Sequence, residues 1–167
     1  NIKYIILIIL AIFIIFVLLR QPVYKINVIF PVRDRESDLE KTLPTIKRVL
    51  EENGIEYKIY IIEQVPGKKF NKGKIFNVGF LEAEKDGWSN YYYFSDVDIY
   101  PKYRDTFDFT PVPGIVKHHY TELDNTLGGV FSTDSKTYKT INGFHNEFWG
   151  WGGEDNDIIN RFNAMGI

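Results

Sequence analysis

An α/β domain with a mostly parallel central sheet is the fold class this sequence predicts, and three observations predict it. Short apolar runs alternate with segments whose apolar residues recur at helical spacing. The strand candidates open into charged or glycine-rich loops. The 167 residues, 44% hydrophobic and 16% aromatic, suffice for one packed domain but not for two.

The first element is an uninterrupted apolar run, Tyr4 to Leu19, flanked by Lys3 and Arg20. As a helix it spans roughly 24 Å at about 1.5 Å per residue, a little short of a hydrocarbon core of about 30 Å. Snorkelling by the flanking bases closes that gap. No small-x-small cleavage site follows, so residues 1–20 read as an uncleaved transmembrane anchor in preference to a signal peptide or a buried core helix. With Arg20 and Lys25 on one side and Lys3 on the other, the positive-inside rule leaves the following domain in the cytoplasm. The chain starts with Asn and stops two residues after a helix-like pattern, so it is expected to be a piece of a longer one.

Residues 21–25 are a short linker and residues 26–167 the domain. "INVIFPV", Ile26 to Val32, reads as a buried strand that breaks into the charged loop "RDRESD". Ser37 and Glu40 have the spacing of a capping box, and Leu39, Leu43, Ile46 and Leu50 continue a helix to a stop at Gly54, despite Pro44. Tyr57 to Gln64 is a second strand, "NKGKIFNVGFLEAEKDG" a second helix, and Tyr91 to Ser95 a third strand. Strands separated by helices of this length form βαβ units, which place ligands at the carboxyl ends of the strands.

Charge and composition remove several functions. A net charge of -2 with scattered bases argues against nucleic acid as a partner, and the absence of cysteine excludes disulfides and thiolate metal sites. "DNDIINRFNAMG" is not a calcium loop, because Asn160 stands where the sixth-position glycine belongs.

Two acidic clusters carry the chemistry. In "YYYFSDVDIYPK", Asp96 and Asp98 leave the end of the third strand two residues apart, so both carboxylates can face one small volume. They repel unless a cation lies near, and a hard divalent ion such as Mn²⁺ or Mg²⁺ bridged to a substrate phosphate is the usual solution; a plain surface turn is the competing reading. In "FWGWGGEDNDIINRF", Gly150, Gly152 and Gly153 interleave with Trp149 and Trp151 before Glu154, Asp155 and Asp157 open a helical pattern. Glycines let backbone approach a ligand, and an indole face suits a sugar ring. The macrodipole accounts for acids in a first helical turn, most simply for Asp157. A helix start would also keep Asp155 ionised, as a general base requires.

The order "FPVRDR", "FNKGKIFNVGF", "FSDVDIYP", "LGGVFS", "INGFHNEFWGWGGEDND" resembles the β-1,4-galactosyltransferase family, over about Val28 to Gly166. The resemblance implies a GT-A fold, Rossmann-like, on a single-pass type II anchor in the Golgi, against the flanking charges. It implies Mn²⁺-dependent, inverting transfer of galactose or N-acetylgalactosamine from a UDP-sugar to a glycan hydroxyl. Residue by residue, it assigns Pro31, Val32, Arg33, Asp34, Arg35, Phe70, Asn71, Lys72, Asp96, Val97, Asp98 and Trp151 to the donor. Lys72 stands where the family has arginine. The acceptor is assigned Gly153, Glu154, Asp155 and Asn156, where Asn156 replaces a usual aspartate. Glu154 and Asp155 fall at the catalytic position, with Asp155 as base, and Asp98 is the metal ligand. The family completes its metal site with a histidine beyond the Trp-Gly motif. His118, His119 and His145 precede or flank that motif and read as strand or loop residues. Thr126, before "LGG", stands where the family tunes its donor sugar. A non-catalytic sugar-nucleotide or glycan-binding relative is the alternative, and a two-metal phosphoryl-transfer enzyme, which leaves the Trp-Gly string unexplained, a distant third.

Overall fold

The computed structural model describes residues 3, 4, 6, 8–10, 24–119 and 125–167. Among the described residues from 24 onward, five strands and four helices follow one another as β1 (Lys25–Val32), α1 (Glu36–Glu52), β2 (Glu56–Glu63), α2 (Lys72–Asp86), β3 (Tyr91–Ser95), β4 (Lys117–His118), β5 (Val130–Asp134), α3 (Ser135–Thr140) and α4 (Glu154–Ala164). Most of the apolar run that reads as an anchor lies outside the described residues. Among those that are described, no helix is long and apolar enough to cross a membrane.

The sheet order is β2-β1-β3-β5-β4. β1 pairs in parallel with β2 and β3, joined through α1 and α2 as the βαβ reading expects. β5 then pairs antiparallel with both β3 and β4, so the sheet is mixed: among the five strands of the described residues, β5 runs against the other four. A parallel neighbour needs a crossover long enough to return the chain to the same end. Among the described residues of 96–129 the only regular element is the two-residue β4, and no crossover helix precedes β5, which runs beside β3 in the opposite sense.

Side-chain alternation gives each face of the sheet its own core. Ile26, Val28, Phe30 and Val32 of β1, with Tyr91 and Tyr93 of β3, pack against Ile46, Val49 and Leu50 of α1. Ile29, Tyr92 and Phe94 point the other way, onto Phe76, Phe80 and Ala83 of α2 and onto Ile158 and Phe162 of α4. Phe94 stacks on Phe131 with ring centroids 4.6 Å apart. All five residues of β3 are buried, as expected for a central strand. α2 approaches β1 so closely at Gly79 that a Cβ there would lie 2.4 Å from Ile29 Cγ2.

The expected capping box at Ser37 and Glu40 does not form. α1 begins two residues earlier than that box would place it, at Glu36, with Arg35 as N-cap and no side-chain cap. The Arg35 carbonyl accepts from the amides of Asp38 and Leu39, so the turn is already closed before Ser37. α2 has the stronger start: Asn71 Oδ1 accepts from the Lys74 amide at 2.9 Å, and a left-handed Gly87 ends it.

Candidate active site

The carboxyl ends of β1 and β3 and the N-termini of α2 and α4 surround one cleft of about 930 Å³. Fourteen of the sixteen residues assigned to the site from the sequence, all but Val32 and Asn71, line it. Val32 is buried in the core beneath α1. Asn71 caps α2 and donates to the Asn146 carbonyl at 2.7 Å, which spends its amide on holding the walls together.

Of the loop after β1, Pro31, Arg33, Asp34 and Arg35 reach the cleft. Arg33 donates to the Lys68 carbonyl at 2.6 Å, and its guanidinium lies 5.2 Å from the Phe70 ring centroid. This ties one basic side chain to one aromatic face at the edge of the cleft. Gln64 completes the brace: its Oε1 accepts from the Asn71 amide and its Nε2 donates to the Lys69 carbonyl. Arg35 donates to Asp38 Oδ2 at 2.9 Å and stands 3.9 Å from Asp98 Oδ2. That last pair is half exposed on both sides.

Asp96 sits deeper. The sequence reading supplies a divalent ion as counter-charge to the Asp-x-Asp pair, but at Asp96 the structure places an ammonium. Lys72 Nζ lies 3.4 Å from Asp96 Oδ2, 3.4 Å from Glu154 Oε1 and 2.6 Å from Asp155 Oδ2. The lysine comes from the first turn of α2, the aspartate from the end of β3 and the other two carboxylates from the first turn of α4. Asp96 Oδ2 also accepts from the Gly129 amide at 3.2 Å. Burial by itself would lower the Lys72 pKa, but Asp96, Asp155 and Glu154 together outweigh it and raise the pKa above the ordinary lysine value. Burial pushes the Asp96 carboxyl up to about 6 even though Lys72 opposes it. Asp155 is also raised, by burial first, against the pull of Lys72. The expectation that a helix start keeps Asp155 ionised therefore needs correcting: burial works against ionisation, and it is the neighbouring lysine that opposes burial.

The Trp-Gly segment forms the opposite wall. Gly150, Gly152 and Gly153 have φ of 100°, 97° and 96°, a conformation that side chains rarely adopt. At Gly153 a Cβ would also meet Phe148 at 2.8 Å, so this glycine is needed both for its backbone and for its lack of a side chain. Trp151 is fully exposed at the cleft mouth, while Trp149 is held between Lys68 and Lys74. Asn156 lines the cleft and donates to the Asn125 carbonyl. Asp157 does not line it.

Gly128, Gly129, Lys69 and Ile99 line the cleft as well and escaped the residue-level reading. The "LGG" string marked the first two without a role; the Gly129 amide and the narrow fit at Gly128, where a Cβ would stand 3.0 Å from Asp155 Oδ2, supply one. Nothing in the sequence distinguishes Lys69. Thr126 lines the cleft and its hydroxyl accepts from the Gly128 amide.

His118 lies in β4 with Nε2 2.8 Å from the Gly128 carbonyl, and His119 packs among Tyr93, Phe107 and Phe109 with Nε2 2.8 Å from Ser132 Oγ. Burial lowers His119 to about 4. His145 is in a loop and its Nδ1 accepts from the Glu147 amide. Among the described residues no three acidic or histidine side chains gather as a metal site. Asp98 presents a single hard oxygen donor to the cleft, which fits a divalent cation in kind though not in number.

Comparison with known proteins places these features in context. The family model for the N-terminal region of glycosyl transferase group 7 matches residues 20–108, and that for the N-terminal domain of galactosyltransferase matches residues 115–167. Beta-1,4-galactosyltransferase 1 of Bos taurus is 36% identical over 151 residues, covering 86% of this chain and 38% of that protein. The Homo sapiens form is 37% identical over 153 residues, again covering 86% and 38%. The chain thus spans well under half the length of these curated relatives. The catalytic domain of Drosophila beta1,4galactosyltransferase 7, in complex with xylobiose, superposes with a TM-score of 0.78 at 29% identity, covering 87% of this chain and 63% of that one. A mutant of the same enzyme, in complex with manganese, UDP-Gal and xylobiose, gives the same TM-score at 28% identity.

Proposed function

We propose, from the premise that the chain belongs to glycosyltransferase group 7, the β-1,4-galactosyltransferase family, that it carries the donor cleft and catalytic base of an inverting UDP-sugar hexosyltransferase acting on a glycan hydroxyl. The observation that supports this most is the convergence, in one cleft, of Arg33 and Arg35, the Asp98 carboxylate and the Asp155 carboxylate.

Arg33 and Arg35 lie where a donor diphosphate would carry its charge, and guanidinium forks suit phosphate oxygens. Phe70, with Arg33 over its ring, offers a flat face to a base. Asp98 would hold the divalent cation together with that diphosphate, and the cation, when bound, neutralises charge on the leaving UDP. Trp151 and the Gly153–Asn156 backbone present a platform and polar groups to an acceptor sugar. Asp155 Oδ2 is held by Lys72, and no hydrogen bond to its Oδ1 is found among the described residues. Oδ1 is thus the atom that takes the acceptor proton as the hydroxyl oxygen attacks the anomeric carbon. A single displacement of this kind inverts configuration. Thr126 and the Gly128–Gly129 backbone border the position of the donor sugar, galactose or N-acetylgalactosamine. The apolar run at residues 4–19 would tether the domain to a secretory-pathway membrane in type II orientation.

Two substitutions test the reading. Asp155→Asn is expected to keep UDP binding in calorimetry while lowering transfer to a disaccharide by about 10²–10⁴-fold. Asp98→Ala is expected to abolish the Mn²⁺ dependence of UDP binding. Full transfer by Asp155→Asn would eliminate the base assignment.

A further inference from the structure

We propose that Lys72 is a positioning residue for the base Asp155, joining the donor and acceptor walls of the cleft, and is not a contact to the donor diphosphate. This deepens the proposed activity and rests on Asp155 being its base.

Three geometric facts carry it. First, the Lys72 side chain is only 13% exposed and its ammonium is directed at carboxylates from two other elements, with the shortest contact, 2.6 Å, to Asp155. Second, the only Asp155 oxygen it engages is Oδ2, while Oδ1 has no hydrogen bond among the described residues and Asp155 lines the cleft. Third, Gly128 closes behind that same oxygen, since a Cβ there would stand 3.0 Å from it. The carboxylate is therefore held at one oxygen and presented at the other, a requirement for a base that must meet a hydroxyl in one direction. A long cation also suits the gap between walls: Asp96 at the end of β3 and Glu154 at the start of α4 are both within 3.4 Å of its nitrogen. A diphosphate contact would draw the ammonium away from one buried and two partly buried carboxylates.

The electrostatics agree with the geometry. Four groups face the Asp155 carboxylate: Lys72 from α2, Asp96 beyond β3, Glu154 on its own helix and His118 from β4. Burial, Glu154 and Asp96 favour the protonated acid, whereas Lys72 and His118 oppose it. Lys72 is the larger of the two opposing influences and the only one in direct contact. An acceptor sugar excludes further water from the cleft and raises the burial penalty, so the lysine is most needed in the complex that reacts.

The test is a pH titration of the Asp155 side-chain carboxyl by carbon-13 NMR in the chain as it stands, alongside Lys72→Met and Lys72→Gln. Both variants are expected to move the Asp155 midpoint up by about one pH unit or more, the size of effect of an opposite charge at this distance. Lys72→Arg is expected to restore it. In a transfer assay the acidic limb of kcat should move up by the same amount and recover at higher pH, with a smaller change in donor KM. An unmoved Asp155 midpoint in the neutral variants, with UDP affinity lost instead, would overturn the proposal and return Lys72 to the diphosphate. Should Lys72→Met not fold, the Lys72→Gln titration decides alone. Absence of UDP binding and transfer in the unmodified chain would count against the proposed activity, while the midpoint shift would still decide the role of Lys72.

Discussion

The two ends of the cleft hold their charges differently. At the end proposed for the donor, Arg35 and Asp98 stand 3.9 Å apart with more than half of each side chain in water, so each can exchange the other for a phosphate or a cation at little cost. At the end proposed for the acceptor, Lys72 serves Asp96, Glu154 and Asp155 with 13% of its side chain exposed and at most 25% of any partner's. There the low dielectric makes each charge depend on the others. A binding site for a mobile, strongly charged ligand gains from the first arrangement. A base that must keep one orientation and one protonation state gains from the second.

Stability measurements can break this contrast. Lys72→Met should cost the most, about 3–5 kcal/mol in urea unfolding at pH 8, because it leaves buried carboxylates without their cation. A loss below about 1 kcal/mol would mean that water reaches the cluster and that its burial is overstated. An intermediate effect is expected from His119, which belongs to neither end. Its folded pKa, about 4, lies below the ordinary value of about 6.5, so the unfolded chain binds more protons between those pH values. Its contribution is complete above about pH 6.5 and is lost as pH falls towards 4, on the order of 1–3 kcal/mol in all. His119→Asn should flatten that part of the stability profile, and an unchanged slope would place the ring in water. The smallest effect belongs to the open pair. Arg35→Gln and Asp98→Asn, combined in a double-mutant cycle, should show a coupling of at most about 0.5 kcal/mol. A coupling several times larger would erase the distinction between the two ends.

Much of this could be read from the residues. The continuous burial of β1 and β3, the glycine ends of α1 and α2, and the glycines beside Trp149 and Trp151 follow from local rules, because short apolar runs and positive φ are properties of short segments. That Asp98 would border the cleft was legible because it follows a strand end, where βαβ topology puts ligands, and that Asp155 would do so because it opens a helix beside the glycines at 150, 152 and 153. The antiparallel return of β5 was not legible, since no local signal distinguishes a strand that runs back from one that crosses over. Nor was the start of α1, where the Arg35 carbonyl closes the turn that Ser37 and Glu40 seemed placed to cap.

Lys72 draws the line most clearly. Its neighbours in the chain mark it as a residue at the start of a helix and, by resemblance, as a donor contact, while the carboxylates it joins lie 24, 82 and 83 positions away. The fold class, the strand ends and the acidic motifs are local patterns, and the chain alone specified them. Which cation meets which acid depends on how α2, β3 and α4 converge, because a Coulomb interaction depends on distance and burial and not on sequence separation. The "YYYFSDVDIYPK" stretch shows no counter-charge of its own, and the folded chain brings one to it from α2.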